Sequence, residues 1–225
     1  MIADNLKSVT QRIAKCCKKV GRSPEEVQLV CVTKEACADE IEEVLDSGVH
    51  ILGENRIQTA LIKYKSIGDR AIWHLVGHLQ TNKAKDAVNI FSLIHSVDSA
   101  RLAKEIDKAA KKINKIQDVL IQVNTSGEKT KFGASPESVI DIFKEISLYP
   151  NITIKGLMTI ASEVDDPEKA RPYFRALREL RDKINPIHNT QYTIPILSMG
   201  MSGDFEVAIE EGSNMVRIGR AIFKR

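Results

Sequence analysis

The feature that most constrains this chain is a rhythm: short apolar, β-branched runs alternate with longer stretches whose apolar residues recur every three or four positions. The first run is Val27-Gln28-Leu29-Val30-Cys31-Val32-Thr33-Lys34. It lacks strict apolar/polar alternation, as expected of a parallel strand covered on both faces. Before it, Ile2, Leu6, Val9, Ile13, Ala14 and Cys17 form one helical stripe over 2–20, stopped by Gly21. Further strands are expected over 49–52 (closed by Gly53), 71–76, 90–97, 117–123, 152–158, 193–197 and 215–218. Helices are expected over 39–47, 57–66, 81–88, from a cap at Asp98 or Ser99 to 112, 135–148 with Pro136 at the first position, 167–184 and 205–211. Eight strands, each separated by a helix, are what a (β/α)8 TIM barrel requires, and 225 residues approach the ~250 typical of one. With no linker or composition break, residues 1–225 read as one domain. A doubly wound open sheet is the rival, because alternation alone does not show closure.

Composition narrows the class. The chain is 43% hydrophobic and 28% charged, as a soluble globular protein is. Its net charge of +3, from 33 Lys+Arg against 30 Asp+Glu, is too mild and too evenly spread for a nucleic-acid partner. The clusters Lys15/Lys18/Lys19 and Lys108/Lys111/Lys112/Lys115 have the spacing of solvated helix faces. No apolar run approaches the ~20 residues of a membrane span, and the opening Met1-Ile2-Ala3-Asp4-Asn5 does not read as a signal peptide. Cys16, Cys17, Cys31 and Cys37 form no C-x-x-C pair, so reduced thiols and a cytoplasmic location are expected.

In a barrel the strands' carboxyl ends share one face, and the loops after strands seven and eight commonly hold phosphate. Lys34 ends the first strand on the face of Val30 and Val32. At the rim of a core its amine would be part-desolvated, which lowers a lysine pKa and frees the amine to attack an aldehyde. A strand-end lysine snorkelling into water is the plain alternative. The second strand leads to Gly53-Glu54-Asn55-Arg56. The third carries His74 and leads to Gly77-His78, the fifth leads to Asn124-Thr125 and Lys131-Phe132-Gly133, and the sixth ends in Gly156-Leu157-Met158-Thr159. The seventh gives Ser198-Met199-Gly200-Met201-Ser202-Gly203-Asp204, a small-residue loop that can offer backbone N–H groups to an anion. In Val216-Arg217-Ile218-Gly219-Arg220, Gly219 admits a ligand close to the main chain. Taken together, a rim lysine and two phosphate-type loops suit an aldehyde carrying a phosphate, and pyridoxal 5′-phosphate is such a molecule. His74 and His78 read as hydrogen-bonding histidines, since no Cys or Glu is placed to complete a zinc site. Asp204 reads as the cap of the next helix, Met199 and Met201 as spacers, and Lys131 fits the mouth or solvent equally well.

These motifs, in this order and with Val32-Thr33-Lys34, Trp73-His74, His78-Leu79-Gln80, Asn82-Lys83 and Ala221-Ile222-Phe223, resemble the pyridoxal phosphate homeostasis protein family over essentially the whole chain. The resemblance implies a single barrel like the N-terminal domain of alanine racemase, a fold-type III pyridoxal-phosphate-binding fold, with the cofactor at the strand carboxyl ends. It makes Lys34 the Schiff-base lysine and Arg217 the partner of the pyridine nitrogen, and it places Asn55 near the ring. Ser198, Gly200, Met201, Ser202 and Gly219 look like the phosphate cup, with Arg220 a main-chain contributor. His74 and Met158 complete the expected cofactor-binding set, with no metal and no catalytic residue. The family commonly reads Ile-Phe-Gly after the last strand, whereas here Phe223 precedes Lys224-Arg225, which leaves the packing of that tail open.

An arginine at the pyridine nitrogen disfavours its protonation and weakens the ring as an electron sink. Racemases with that handicap add a second base, a tyrosine on a further domain, for which a barrel of this length is expected to leave no residues. Tyr64, Tyr149 and Tyr173 are expected on or beside outer helices and Tyr192 before strand seven. The expectation is therefore a monomeric carrier that binds, buffers and hands the cofactor to apo-enzymes. The alternatives are a racemase-like pyridoxal-phosphate enzyme, a class I aldolase using Lys155 (which the inward set Ile154, Gly156 and Met158 would turn outward), and an interaction protein.

Overall fold

The computed structural model describes residues 1–128, 130–186 and 193–224. Among them eight parallel strands close into a barrel in chain order: β1 (Gln28–Val32), β2 (Ile51–Glu54), β3 (Ile72–Leu75), β4 (Leu93–Val97), β5 (Gln117–Gln122), β6 (Ile152–Met158), β7 (Ile196–Ser198) and β8 (Met215–Ile218). β1 pairs with both β2 and β8, Val32 aligning with Gly53 and Val30 with Arg217, and this closure excludes the open sheet. Around the barrel lie α1 (Ile2–Lys19), α2 (Ala38–Asp46), α3 (Ile57–Ile67), α4 (Ala84–Ile90), α5 (Ala100–Lys112), α6 (Val139–Ile146), α7 (Arg171–Ile184), α8 (Phe205–Glu210) and the short α9 (Arg220–Phe223). No helix among the described residues is long and apolar enough to cross a membrane.

Strand alternation sorts the core into two layers. Val30, Val76, Leu93, Leu120, Met158 and Met215 form an apolar plug inside the barrel. Cys31, Leu52, Trp73, Leu75, Ile94, Ile121, Leu157, Leu197 and Val216 face outward, into the layer that the helix stripes cover. In α1 the predicted stripe is buried at Ile2, Leu6, Val9, Ile13 and Cys17, and the helix packs on α8 and α9 beneath the mouth loops. Each such aliphatic side chain contributes about 1.5–3 kcal/mol when fully buried. Ser99 caps α5, its hydroxyl accepting from the Leu102 N–H.

Several boundaries differ for local reasons. Gly53 lies inside β2 rather than closing it, because a Cβ there would come within 2.9 Å of Val30 Cγ1 in the packed interior. Pro136 does not open α6: the Ser138 N–H and hydroxyl both bond back to the Ser135 carbonyl, which makes a turn, and the helix starts at Val139. The helices expected from Thr81 and Pro167 each begin with a 3-10 turn, and Ile90 belongs to α4 rather than to the fourth strand. β7 starts at Ile196, after Pro195, which has no N–H for a ladder bond. A bulge between Val119 and Leu120 on β5 makes Lys155 the extra residue of β6. Ile154 therefore packs on the helix side, against the expected inward set, and Lys155 lies 3.6 Å from Asp118 near the strands' amino ends, opposite the mouth. Tyr64 and Tyr173 lie on α3 and α7, and Tyr149 follows α6; Tyr192 and Arg225 fall outside the described residues.

Candidate functional site at the barrel mouth

Lys34 lies two residues past the end of β1, beyond Val30 and Val32, which belong to the interior core as the strand parity requires. Its side chain is 48% exposed, with Nζ 3.4 Å from Glu35 Oε1. Behind it, Glu54 is buried at the end of β2. Glu54 Oε1 accepts from Thr33 Oγ1 at 2.6 Å and from Lys63 Nζ at 2.7 Å, and Lys63 also donates to the Thr33 carbonyl. This buried pair on the far side of the strand fixes the backbone from which Lys34 projects. Glu54 Oε2 has no hydrogen-bond partner.

Two cavities meet at Lys34. One, of about 200 Å³, is lined by Lys34, Asn55, His78, Gln122, Phe132, Met201, Ser202, Arg217, Gly219 and Arg220 among others. The other, of about 450 Å³, shares Val32, Lys34, Ser202, Gly219 and Arg220 and extends past Ala221, Phe223 and Lys224. Glycine is required where the two loops close in. Gly200 has φ +94°, and a Cβ there would lie 2.6 Å from Ala208 Cβ; a Cβ on Gly219 would lie 2.9 Å from the Val32 carbonyl. The Ala221 N–H donates to Ser202 Oγ at 3.2 Å, which ties the loop after β7 to the start of α9. The first N–H groups of α8 and α9 have no acceptor within their own helices.

Asp204 departs from its expected role. It precedes α8, but its side chain makes no cap bond to that helix and instead accepts from the Met201 N–H at 2.6 Å. Burial pushes its carboxyl above the usual range. Met199 points into the outer core while its backbone joins β8, whereas Met201 lines the cavity. Lys131 lies 3.4 Å from Glu128, and the adjacent Phe132 reaches the mouth, stacked on His78 at 3.7 Å between ring centres.

Arg217, on β8, is 4% exposed. Its Nη1 donates to Ser198 Oγ at 2.6 Å and its Nη2 to the Thr159 carbonyl at 2.8 Å. It has no ion-pair partner among the described residues. Burial pushes its pKa down to about 10, opposed by the field of Asp204. Two of its five N–H donors are thus spent, and it lines the same cavity as Lys34.

Of the residues expected to bind cofactor, Lys34, Asn55, Met201, Ser202, Arg217, Gly219 and Arg220 therefore share one cavity, and Gly200 shapes its loop. His74, Met158 and Ser198 lie deeper. Met158 is part of the interior plug, and Ser198 is fully buried with its hydroxyl between Arg217 and His95. His74 does not pair with His78 but with His95, Nδ1 to Nε2 at 3.1 Å. No group of three or more metal-ligating acids, cysteines and histidines occurs among the described residues. His95 escaped the sequence reading. Its signal was a polar residue at the parity of Leu93, inside an otherwise apolar run.

The model of the alanine racemase N-terminal domain family matches residues 5–225. Similar proteins include the pyridoxal phosphate homeostasis protein of Aquifex aeolicus, 46% identical over 98% of this chain and 96% of that one. The protein of the same name from Escherichia coli is 33% identical over 99% and 95%. Among solved structures, PipY of Synechococcus elongatus with pyridoxal phosphate bound is 32% identical, with a TM-score of 0.87 over 99% of this chain and 100% of that one. Alanine racemase of Clostridium difficile shares the fold at 19% identity and a TM-score of 0.74, this chain covering 57% of it. The chain belongs to the alanine racemase N-terminal domain family and, within it, to the pyridoxal phosphate homeostasis proteins.

Proposed function

We propose that this protein binds pyridoxal 5′-phosphate at the barrel mouth and holds it reversibly through a Schiff base on Lys34. In this reading it buffers the aldehyde and carries it to apo-enzymes, and it does not transform amino acids. One observation carries the reading: Lys34, a buried arginine with no ion-pair partner among the described residues and two loops that exclude a Cβ line a single cavity. The residues fit the group. When bound, it supplies an aldehyde for an amine and a ring able to accept electrons. Lys34 holds the aldehyde carbon, and the loops at Gly200–Ser202 and Gly219–Arg220 take the phosphate. Arg217, which can only donate, favours an unprotonated ring nitrogen and so leaves the ring a weak electron sink. The chain acts as one domain and one monomer in the cytoplasm, without nucleic acid.

The likeness to alanine racemase favours one second reading, weak racemase-like turnover, which chiral assay with free amino acids would detect. The primary test is the visible absorption of the purified protein beside Lys34→Ala, before and after borohydride. The expected result is a yellow band in the wild type that borohydride fixes covalently on Lys34, without amino-acid turnover. A protein that stays colourless with added pyridoxal phosphate refutes the reading.

A further inference from the structure

A polar seam crosses the largely apolar barrel interior. His74 on β3, His95 on β4, Ser198 at the end of β7 and Arg217 on β8 are all buried. His74 Nδ1 lies 3.1 Å from His95 Nε2, His95 Nδ1 lies 3.0 Å from Ser198 Oγ, and Arg217 Nη1 donates to that same oxygen at 2.6 Å.

Counting protons gives the seam a direction. Arginine only donates, so Ser198 Oγ accepts from it and retains one proton to give. His95 Nδ1 is the acceptor in reach, which makes His95 the Nε2–H tautomer. Its Nε2–H then donates to His74 Nδ1, and His74 carries its own proton on Nε2. The reverse order would leave the serine proton without an acceptor. Neither ring can add a second proton cheaply, because each sits in the unsolvated interior, and His95 also feels the Arg217 guanidinium. Burial pushes His74 down to about 4, and His95 lies well below the usual imidazole value.

We propose that His74, His95 and Ser198 form an uncharged, one-way hydrogen-bond relay that positions Arg217 and makes the point above it accept only a ligand atom with a free lone pair. Because the guanidinium carries only donors and its Nη1 is held by Ser198, the N–H groups that remain are what Arg217 offers a ligand. The relay is thus a specificity device: it selects an aromatic aldehyde phosphate with an unprotonated ring nitrogen. This rests on the cofactor reading above.

Two experiments test it, chosen so that the two claims fail separately. Long-range 15N–1H NMR on the wild-type protein, which has five histidines, reads the tautomers directly. Two should be neutral, Nε2-protonated and unchanged from pH 8 to 5. An Nδ1–H tautomer, or titration above pH 6, in either buried ring overturns the relay whether or not cofactor binds. In the second, Ser198→Ala should weaken pyridoxal phosphate binding about tenfold or more, the loss of a hydrogen bond to a charged group. Ser198→Thr, which keeps the hydroxyl, should recover most of that affinity. A phosphorylated benzaldehyde lacking the ring nitrogen should bind wild type and Ser198→Ala equally. If Ser198→Ala weakens both ligands alike, the residue is merely structural and the specificity claim falls. If the wild type binds neither ligand, the cofactor reading falls, and the NMR result alone judges the relay.

Discussion

Replacing Arg217 by Met asks whether the mouth keeps a cation at a cost to the cofactor-free barrel. The pKa of Arg217 is pushed by burial from its ordinary value down to about 10. At about 1.4 kcal/mol per pKa unit, that displacement corresponds to about 3 kcal/mol against the folded state. The sign follows from linkage: below pH 10 the group is charged in both folded and unfolded chains, so the penalty is present in full at neutral pH. It is relieved only as the pH rises through the folded pKa. Against this gain, the variant loses the bonds to Ser198 Oγ and the Thr159 carbonyl. Each such bond, made by a charged group, is worth at least about 1.5 kcal/mol. Methionine is long, flexible and apolar enough to fill the space. The expected outcome is a cofactor-free variant whose stability matches wild type to within about 1 kcal/mol, where a buried substitution ordinarily costs about 0.5–3 kcal/mol. Urea unfolding after cofactor removal with hydroxylamine measures this. Repeating it at a hundredfold excess of ligand over Kd should stabilise wild type by about 2.7 kcal/mol and the variant far less. A cofactor-free variant that loses more than about 2 kcal/mol would refute the charge-burial reasoning. Equal stabilisation of both proteins by the cofactor would remove Arg217 from the binding site.

The buried Glu54–Lys63 pair makes a cycle with a definite sign: Glu54→Gln and Lys63→Met should each cost about 3 kcal/mol in urea unfolding, and the double variant less than their sum, because each single change strands a buried partner. Acid should weaken the cofactor-free fold early. His74 is neutral when folded, with a pKa of about 4 against 6.5 when unfolded, so stability held above pH 6.5 falls by about 2 kcal/mol by pH 5. The urea midpoint of His74→Phe should be flatter over that window. Alkylation at pH 8 should label Cys37 first, since it is exposed, whereas burial pushes Cys16 up to about 11 and Cys31 up to about 12; a first adduct on Cys31 by mass spectrometry would contradict the core assignment.

The barrel was legible because its signals are local. Short apolar runs and helical stripes name most elements, the short α9 excepted, and the parity of Val30, Val32 and Lys34 places the lysine at the rim before any pairing is known. Closure was not local: the pairing of β1 with β8 joins residues nearly two hundred positions apart. The same distinction divides the site. Gly200 and Gly219 announce themselves within their own loops, whereas His95 becomes a partner of Ser198 only when β4 and β7 face each other across the interior. The bulge at Lys155 shows the limit of parity itself, since one extra residue exchanges the faces of everything before it.

The buried groups beneath Lys34 are poorly suited to acid–base work. A general acid or base works best with a pKa close to the operating pH. Beneath this mouth, burial moves two imidazoles away from it: His74 and His95 are driven towards permanent neutrality, and both of their inner nitrogens are already bonded within the seam, which leaves His78 as the histidine that lines the cavity beside Lys34. Asp204 is raised by burial but holds the Met201 N–H that shapes the loop, so protonating it would loosen the loop rather than serve a substrate. Arg217 keeps its charge throughout the physiological range. What these side chains offer a ligand is an amine, a fixed set of donors and a loop held open by glycine. On the proposed reading that inventory would fasten an aldehyde phosphate, and release would need only water or a competing amine at Lys34, whose side chain is 48% exposed.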